Sequence, residues 1–208
     1  MFAYLYQSSG TIATSSTFAH SGLYSFKGNI TLANGYAQSR VFGSSNVTTF
    51  YIRFWLYYST TALAQLDNND DLFKVFSGYD YDFTYNTLLI GIYRNAGVNY
   101  LVIWYDDLAN AHLIAAPSAD AWHCIEVYLK SDAVNGVITS WLDGVQFDSD
   151  TGNISAGNGI SNWYFGVIES VGFVEAVYLD DIVIDDSRYI GTGWRVGQDG
   201  AVGSPYQY

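Results

Sequence analysis

Residues 122–147 read Trp122-His123-Cys124-Ile125-Glu126-Val127-Tyr128-Leu129-Lys130, Ser131-Asp132-Ala133-Val134-Asn135-Gly136, Val137-Ile138-Thr139-Ser140-Trp141-Leu142, Asp143-Gly144 and Val145-Gln146-Phe147. In the first segment His123, Ile125, Val127 and Leu129 fall at every second position, while Glu126 and Lys130 fall between them. A period of two is that of a strand with one face on a core and the other wetter. Asn135-Gly136 and Asp143-Gly144 tolerate positive φ, which the tight turns matching strand twist require. The stretch therefore predicts three antiparallel strands, 122–130, 137–142 and 145–147, joined by two hairpins.

The same grammar extends in both directions. Runs rich in Val, Ile, Tyr, Phe, Trp and Thr, separated by Gly, Asn, Asp and Ser, predict further strands at 23–27, 36–42, 48–58, 72–76, 87–94, 100–105, 163–169 and 176–184. Only Thr60 to Gln65 has helical composition, enough for one or two turns. Short strands at this spacing predict an all-β fold, an antiparallel sandwich or barrel. Residues 1–188 read as one domain, and the glycine-rich segment 189–208, without sustained alternation, reads as a tail that wraps the surface or leads into a partner.

Composition narrows the function. The chain has 208 residues, 50% of them hydrophobic, enough for one domain with a sizeable core and against disorder. Eight Lys and Arg against 20 Asp and Glu give a net charge of −12. So few cations cannot neutralise a phosphate backbone or dock on anionic lipid, so neither nucleic acid nor a membrane is an expected partner. No apolar run approaches the roughly 20 residues of a spanning helix, and the N-terminus lacks the pattern of a signal peptide. The expected locations are the cell exterior, by another export route or after trimming, or a virion surface. The single cysteine, Cys124, excludes an internal disulfide framework. Three sequons, at Asn29, Asn46 and Asn153, carry glycans only in a chain exported from a glycosylating cell.

Three segments then read together: Ala19-His20-Ser21-Gly22-Leu23-Tyr24-Ser25-Phe26-Lys27; Trp122-His123-Cys124-Ile125-Glu126-Val127 with Trp141-Leu142-Asp143-Gly144-Val145; and Tyr178-Leu179-Asp180-Asp181-Ile182-Val183-Ile184. In this order and spacing they resemble the concanavalin A-like lectin/glucanase superfamily, in particular its laminin-G-like and carbohydrate-binding branches. The resemblance covers about residues 10–186 and implies a jelly-roll β-sandwich of two antiparallel sheets, one of them concave. Such a fold hosts many activities, so function rests on the site. The segment from Asp181 to Val196 has a fainter likeness to the exit of jelly-roll domains in phage virion and surface proteins.

Catalytic patterns implied by the superfamily are missing. A retaining glycosidase needs two carboxylates about 5 Å apart, which acidic residues at i, i+2 and i+4 of a strand supply. The three glutamates, Glu126, Glu169 and Glu175, form no such set. The lyases of the fold would need an arginine, a Gln-x-His and a Tyr-rich strand; Arg53 and His112 are present, the Gln-x-His is not. His20, His112 and His123 show no metal-ligand spacing, and His123 reads as a core imidazole.

Two binding features remain. In related carbohydrate-binding jelly rolls, an aspartate of the last strand meets carbonyls of the early Ser-Gly segment at a structural calcium. Carried over, this implicates Asp181 and, less directly, Asp180, with backbone oxygens near Ser21 and Gly22. Pairing with Lys27 or capping by backbone amides is the alternative, because a carboxylate in an apolar strand needs some partner. The family's acidic residue before the first strand is absent here. A second acidic run, 67–71, reads as a solvated loop. For glycan, rings that stack on sugar faces are needed, with polar groups for the hydroxyls. Tyr79, Tyr81, Phe83 and Tyr85 alternate along 78–86 and would line one face of a strand there, with Tyr93, Arg94, Trp104 and Tyr105 following. Tyr79, Tyr81, Tyr85, Tyr93, Arg94 and Trp104 are the candidate ligand-binding residues, with core packing as the competing use of each ring.

These readings predict a non-catalytic recognition or attachment module for carbohydrate or surface glycan, with a structural calcium. The alternative is a structural surface protein, such as a virion decoration, tail or filament subunit that self-associates. A polysaccharide lyase or hydrolase comes third.

Overall fold

The computed structural model describes residues 3–8, 10–31, 36–106, 108–155, 158–171, 175–186 and 190, with 3–8, 40–44 and 169 described by backbone only. The tail expected over 189–208 thus lies outside the described residues, Ile190 excepted. The first half of the chain contributes β1 (Ala3–Ser8), β2 (Gly10–Ser15), β3 (Ser25–Ile30), β4 (Tyr36–Val47), β5 (Thr49–Tyr58), α1 (Thr60–Ala64), β6 (Leu72–Tyr79), β7 (Asn86–Asn95) and β8 (Val98–Tyr105). The second contributes β9 (Asn110–Ala115), β10 (His123–Lys130), β11 (Asp132–Leu142), β12 (Val145–Ile154), β13 (Ile160–Val171) and β14 (Ala176–Asp185).

Two antiparallel sheets of seven strands result. The first runs β1-β4-β13-β6-β7-β8-β9 and the second β12-β11-β10-β5-β14-β3-β2. Their crossing-over order is that of a jelly roll, as the resemblance implied. Strand parity fills the space between them. On β5, Phe50, Ile52, Phe54, Leu56 and Tyr58 point inward and are at most 1% exposed. Ile125, Val127 and Leu129 of β10 meet them from the neighbouring strand, and Phe73, Phe76, Leu88, Ile90, Leu101, Ile103, Trp163 and Phe165 close the core from the first sheet. Each such ring or branched chain contributes about 1.5–3 kcal/mol of burial.

The opening stretch folds as an antiparallel meander, with one change at its first turn. Lys130 pairs with Val137, but the connection is not a two-residue Asn135-Gly136 turn. Asp132 accepts from the amides of Val134 and Asn135, both at 2.8 Å, so the chain bends on an Asp side chain, and Gly136 already sits in β11 opposite Gly152. The second turn is as read: Asp143 and Gly144 have φ of 52° and 80°, and Leu142 pairs with Val145.

The outer face of the second sheet is not wet. Arg53, Cys124 and Glu126 are at most 2% exposed there, and Phe18 and Trp122 pack against Tyr57, Ala176 and Tyr178 in a small second core. The Ile190 amide donates to Glu126 at 2.8 Å, so Ile190 also lies against this face. The outer face of the first sheet has no comparable cover among the described residues.

Candidate functional site

On the outer face of the first sheet, register decides which side chains meet. Leu89 pairs with Trp104, Gly91 with Val102 and Tyr93 with Tyr100. Glycine at 91 puts no side chain between Leu89 and Tyr93, and the Tyr93 and Trp104 rings lean over that gap to a centroid distance of 5.8 Å, edge to face at 66°. A Cβ on Gly91 would lie 2.5 Å from the Phe73 carbonyl oxygen, so the gap is built into the backbone. Leu89 and Val102 form a buried floor, while Tyr93, Tyr100 and Trp104 are half-buried and Leu113 on β9 is 50% exposed. The Tyr93 hydroxyl donates to Asp70 at 2.6 Å, which fixes the ring and raises its pKa above the usual phenol value, chiefly through that hydrogen bond. Lys74 shares this face through its pairing with Gly91. The arrangement is a preorganised aromatic platform with polar groups at its edges.

The other candidate residues sit elsewhere. The alternation over 78–86 does not make a single strand: β6 ends at Tyr79, and 80–85 make a turn. Asp80, 7% exposed, is the reason, because its carboxylate accepts from the amides of Thr84 at 2.8 Å and Tyr85 at 3.2 Å and from the Thr84 hydroxyl. Tyr79 packs edge to face on Tyr164 at 5.8 Å and lies 6.3 Å from Phe83; Tyr81 projects at the turn, 60% exposed; the Tyr85 hydroxyl donates to Asp106 at 2.5 Å. Arg94 lies at the opposite end of β7, about 30 Å away at 3.4 Å per residue. It faces the side of α1, in a shallow recess of about 290 Å³ with Thr60, Leu63, Leu66, Asp67 and Asn99. The six residues are thus brought together only as Tyr93 with Trp104.

Asp180 and Asp181 do meet the early segment. Asp180 pairs opposite Trp55, and a bulge between Asp180 and Val183 breaks the strict alternation read from the sequence, with Asp181 at a φ of 47°. Asp180 accepts from the amides of His20 at 2.8 Å, Ser21 at 3.1 Å and Asp181 at 2.8 Å. Asp181 takes the Ser21 hydroxyl at 2.5 Å and His20 Nδ1 at 2.9 Å. Lys27 instead lies 5.5 Å over the Tyr178 ring. His20 stacks on Trp55 at 3.6 Å, which holds the loop against the sheet. Gly22, with a φ of 67°, turns the loop outward. Calcium wants six to eight oxygen ligands, carboxylates and carbonyls among them. As arranged, the carboxylates are met by N–H and O–H donors, and among the described residues no cluster of three or more His, Cys, Asp or Glu is placed to hold a metal. This donor set does not fit the ion the resemblance implied.

Sequence reasoning missed the roles of the other histidines. His123 is not a core imidazole: Nδ1 lies 2.7 Å from Asp143 and Nε2 lies 3.1 Å from the Ser118 hydroxyl and 3.0 Å from the Ser118 carbonyl. The carbonyl can only accept, so the ring donates there, and the group ties the 116–121 loop to the Asp143 turn instead of presenting a free base to a nucleophile. His112 is fully buried between the Ser140 hydroxyl at 2.8 Å and Asp150 at 3.2 Å, joining β9 of one sheet to β11 and β12 of the other. Strand parity alone could not show either, because the partners come from distant loops and the opposite sheet. Arg53 and His112, the lyase-type residues present, are both fully buried and stand on different sheets.

No protein-family model and no curated protein sequence matches the chain. Solved structures do. The structure titled cellulose induced protein, Cip1, superposes with a TM-score of 0.65 at 20% identity, covering 89% of each chain. The fold is the concanavalin A-like jelly roll. A botulinum neurotoxin type G receptor binding domain superposes at 0.54 with 15% identity, covering 87% of this chain and 42% of that one. The alginate lyase vAL-1 from Chlorella virus does so at 0.52 with 12% identity, covering 84% and 89%. At these identities the likeness establishes architecture alone.

Proposed function

We propose that the chain is a non-catalytic recognition module that binds glycan on the outer face of its first sheet, and that it works outside a cell or on a virion surface. The observation that carries this reading is the Tyr93–Trp104 pair, held over a glycine gap and tethered by Asp70, with Tyr100 alongside. Sugar rings offer flat C–H faces that pack on such rings, and preorganised aromatics lose little entropy on binding. Among the described residues, the second sheet's outer face, covered by the 16–24 loop and Ile190, offers no equivalent. Neighbours in fold titled as a receptor binding domain and an alginate lyase support a surface for saccharide or receptor on this architecture. The reading needs no ion at Asp180 and Asp181.

The test is affinity electrophoresis or a glycan panel with the wild type and Trp104→Ala. Binding that weakens about 30-fold in the variant, equivalent to about 2 kcal/mol for a central aromatic anchor, is the expected result. Absence of binding to every glycan, or binding indifferent to Trp104, overturns the reading.

A further inference from the structure

Arg94 is one of eight cationic side chains in a chain with 20 acidic ones. Such an imbalance should leave an arginine surrounded by carboxylates, yet among the described residues none lies within ion-pair distance of its guanidinium. Its one hydrogen bond there runs from Nη1 to Asn99 Oδ1 at 3.1 Å. Asp67, in the same recess, is turned to Asn68, whose side-chain amide donates to it at 2.6 Å. Most of the five donors of a planar fork suited to bidentate carboxylate recognition are left for another acceptor.

The walls are fixed. The Arg94 amide donates to the Asp71 carbonyl at 2.9 Å and its carbonyl accepts from the Asp70 amide at 2.9 Å, fastening the 67–71 loop to the end of β7. Asp71, 5% exposed, accepts from the amides of Asp67 and Asn68 and so sets the loop's shape. Opposite, Ser59 caps α1 by accepting from the Ala62 amide at 3.0 Å, which holds Leu63 toward the recess. Leu63 and Leu66 supply an apolar wall, Arg94 a cation, and Asp67 and Thr60 groups that accept from hydroxyls. A volume of about 290 Å³ is at the small end of ligand pockets, sized for one ring.

We infer that this recess takes a sugar ring carrying a carboxylate, a uronic acid residue of an acidic glycan, with its carboxylate on Arg94 and its hydroxyls toward Asp67 and Thr60. The polarity of the lining selects this chemistry over a bare anion: Asp67 accepts from a sugar hydroxyl, a donor that an inorganic oxyanion does not offer. Tyr93 and Arg94 are consecutive on β7 and so leave opposite faces of the sheet, which sets the recess around the 67–71 end of the strand from the aromatic platform. The inference rests on the glycan-binding reading and narrows its ligand class.

Calorimetry with matched pairs of oligosaccharides, oligoglucuronate against cello-oligosaccharide and oligomannuronate against manno-oligosaccharide, tests it at low salt, with sodium sulfate as the anion-only probe. At least tenfold tighter binding of one uronate over its neutral counterpart is expected. Arg94→Gln should abolish that advantage. Arg94→Lys, which keeps charge but loses the fork, should retain only a small part of it. Asn99→Ala, which keeps the cation and frees its orientation, should reduce the advantage, with thermal unfolding showing each variant folded. Uronates bound no tighter than neutral sugars, or an advantage that survives Arg94→Gln, overturns the inference while the platform reading stands. Sulfate that competes as well as uronate overturns the sugar assignment. No binding of any saccharide overturns both.

Discussion

Cys124 sits on β10 at 1% exposure beside Glu126 and near Asp143, and burial pushes its thiol up to about 12, with those carboxylates adding to the shift against the lowering effect of Arg53. Thiolate, not thiol, is the nucleophile. Native protein at pH 8 should therefore react with a disulfide reagent at least a hundredfold more slowly than protein in denaturant; comparable rates would show that this face opens readily. Residue-scale chemistry was partly legible beforehand. That Asp180 and Asp181 needed partners followed from their apolar strand, and the early Ser-Gly segment was the right place to look. That the partners are amides, a hydroxyl and an imidazole depends on a bulge at 180–183, which no alternation pattern encodes. His123 was misread because a hydrophobic face counted by twos assigns every member to the core, including the first, where the strand emerges beside a loop.

Elements were more legible than residues. Eleven expected strands are present, with ends moved by a few residues, and the helical turn after β5 is where its composition placed it. The strands missed, β1, β2 and β9, are all edge members of their sheets. The alternating rings of 79–85 suited a strand face, but Asp80 between them is the group that folds the chain back. Gly166 on β13 tests element geometry: its φ is 122°, and a Cβ would lie 2.3 Å from the Ala37 carbonyl oxygen of neighbouring β4. Gly166→Ala should cost about 3 kcal/mol through strain and clash, or about 6–12 °C in Tm. An unchanged Tm would mean β4 and β13 can part locally at no cost. The α1 junction tests pH. Asp120 accepts from the hydroxyl and amide of Thr60, which hold its carboxyl below the usual Asp value. A folded pKa below the unfolded one gives stability that is present above the unfolded value and lost as pH falls through the folded value. Asp120→Asn should thus lower Tm at pH 7, with the difference shrinking as the pH drops below about 3.9. A difference that stays constant down to pH 2 would show that the charge has no part in it.

At the scale of the whole molecule, the loop that covers the outer face of the second sheet is fastened to it by polar ties, and the question is whether an ion is one of them. The 16–24 loop is held to β14 by four donors on Asp180 and Asp181 and to β5 by the His20–Trp55 stack at 3.6 Å. Both carboxylates are already met by hydrogen-bond donors, so a divalent cation would have to displace those donors and bring oxygens of its own coordination shell in their place. A ligand that binds only the native state raises its midpoint by mass action. Thermal unfolding in millimolar calcium and in excess chelator should therefore give the same Tm within error. Ser21→Ala and His20→Ala should each lower it in both media alike, because the tie they weaken is made of hydrogen bonds. A chelator-induced fall of several degrees, abolished in Asp181→Ala, would show instead that the loop rearranges around calcium, and would restore the ion that the resemblance to carbohydrate-binding jelly rolls implied.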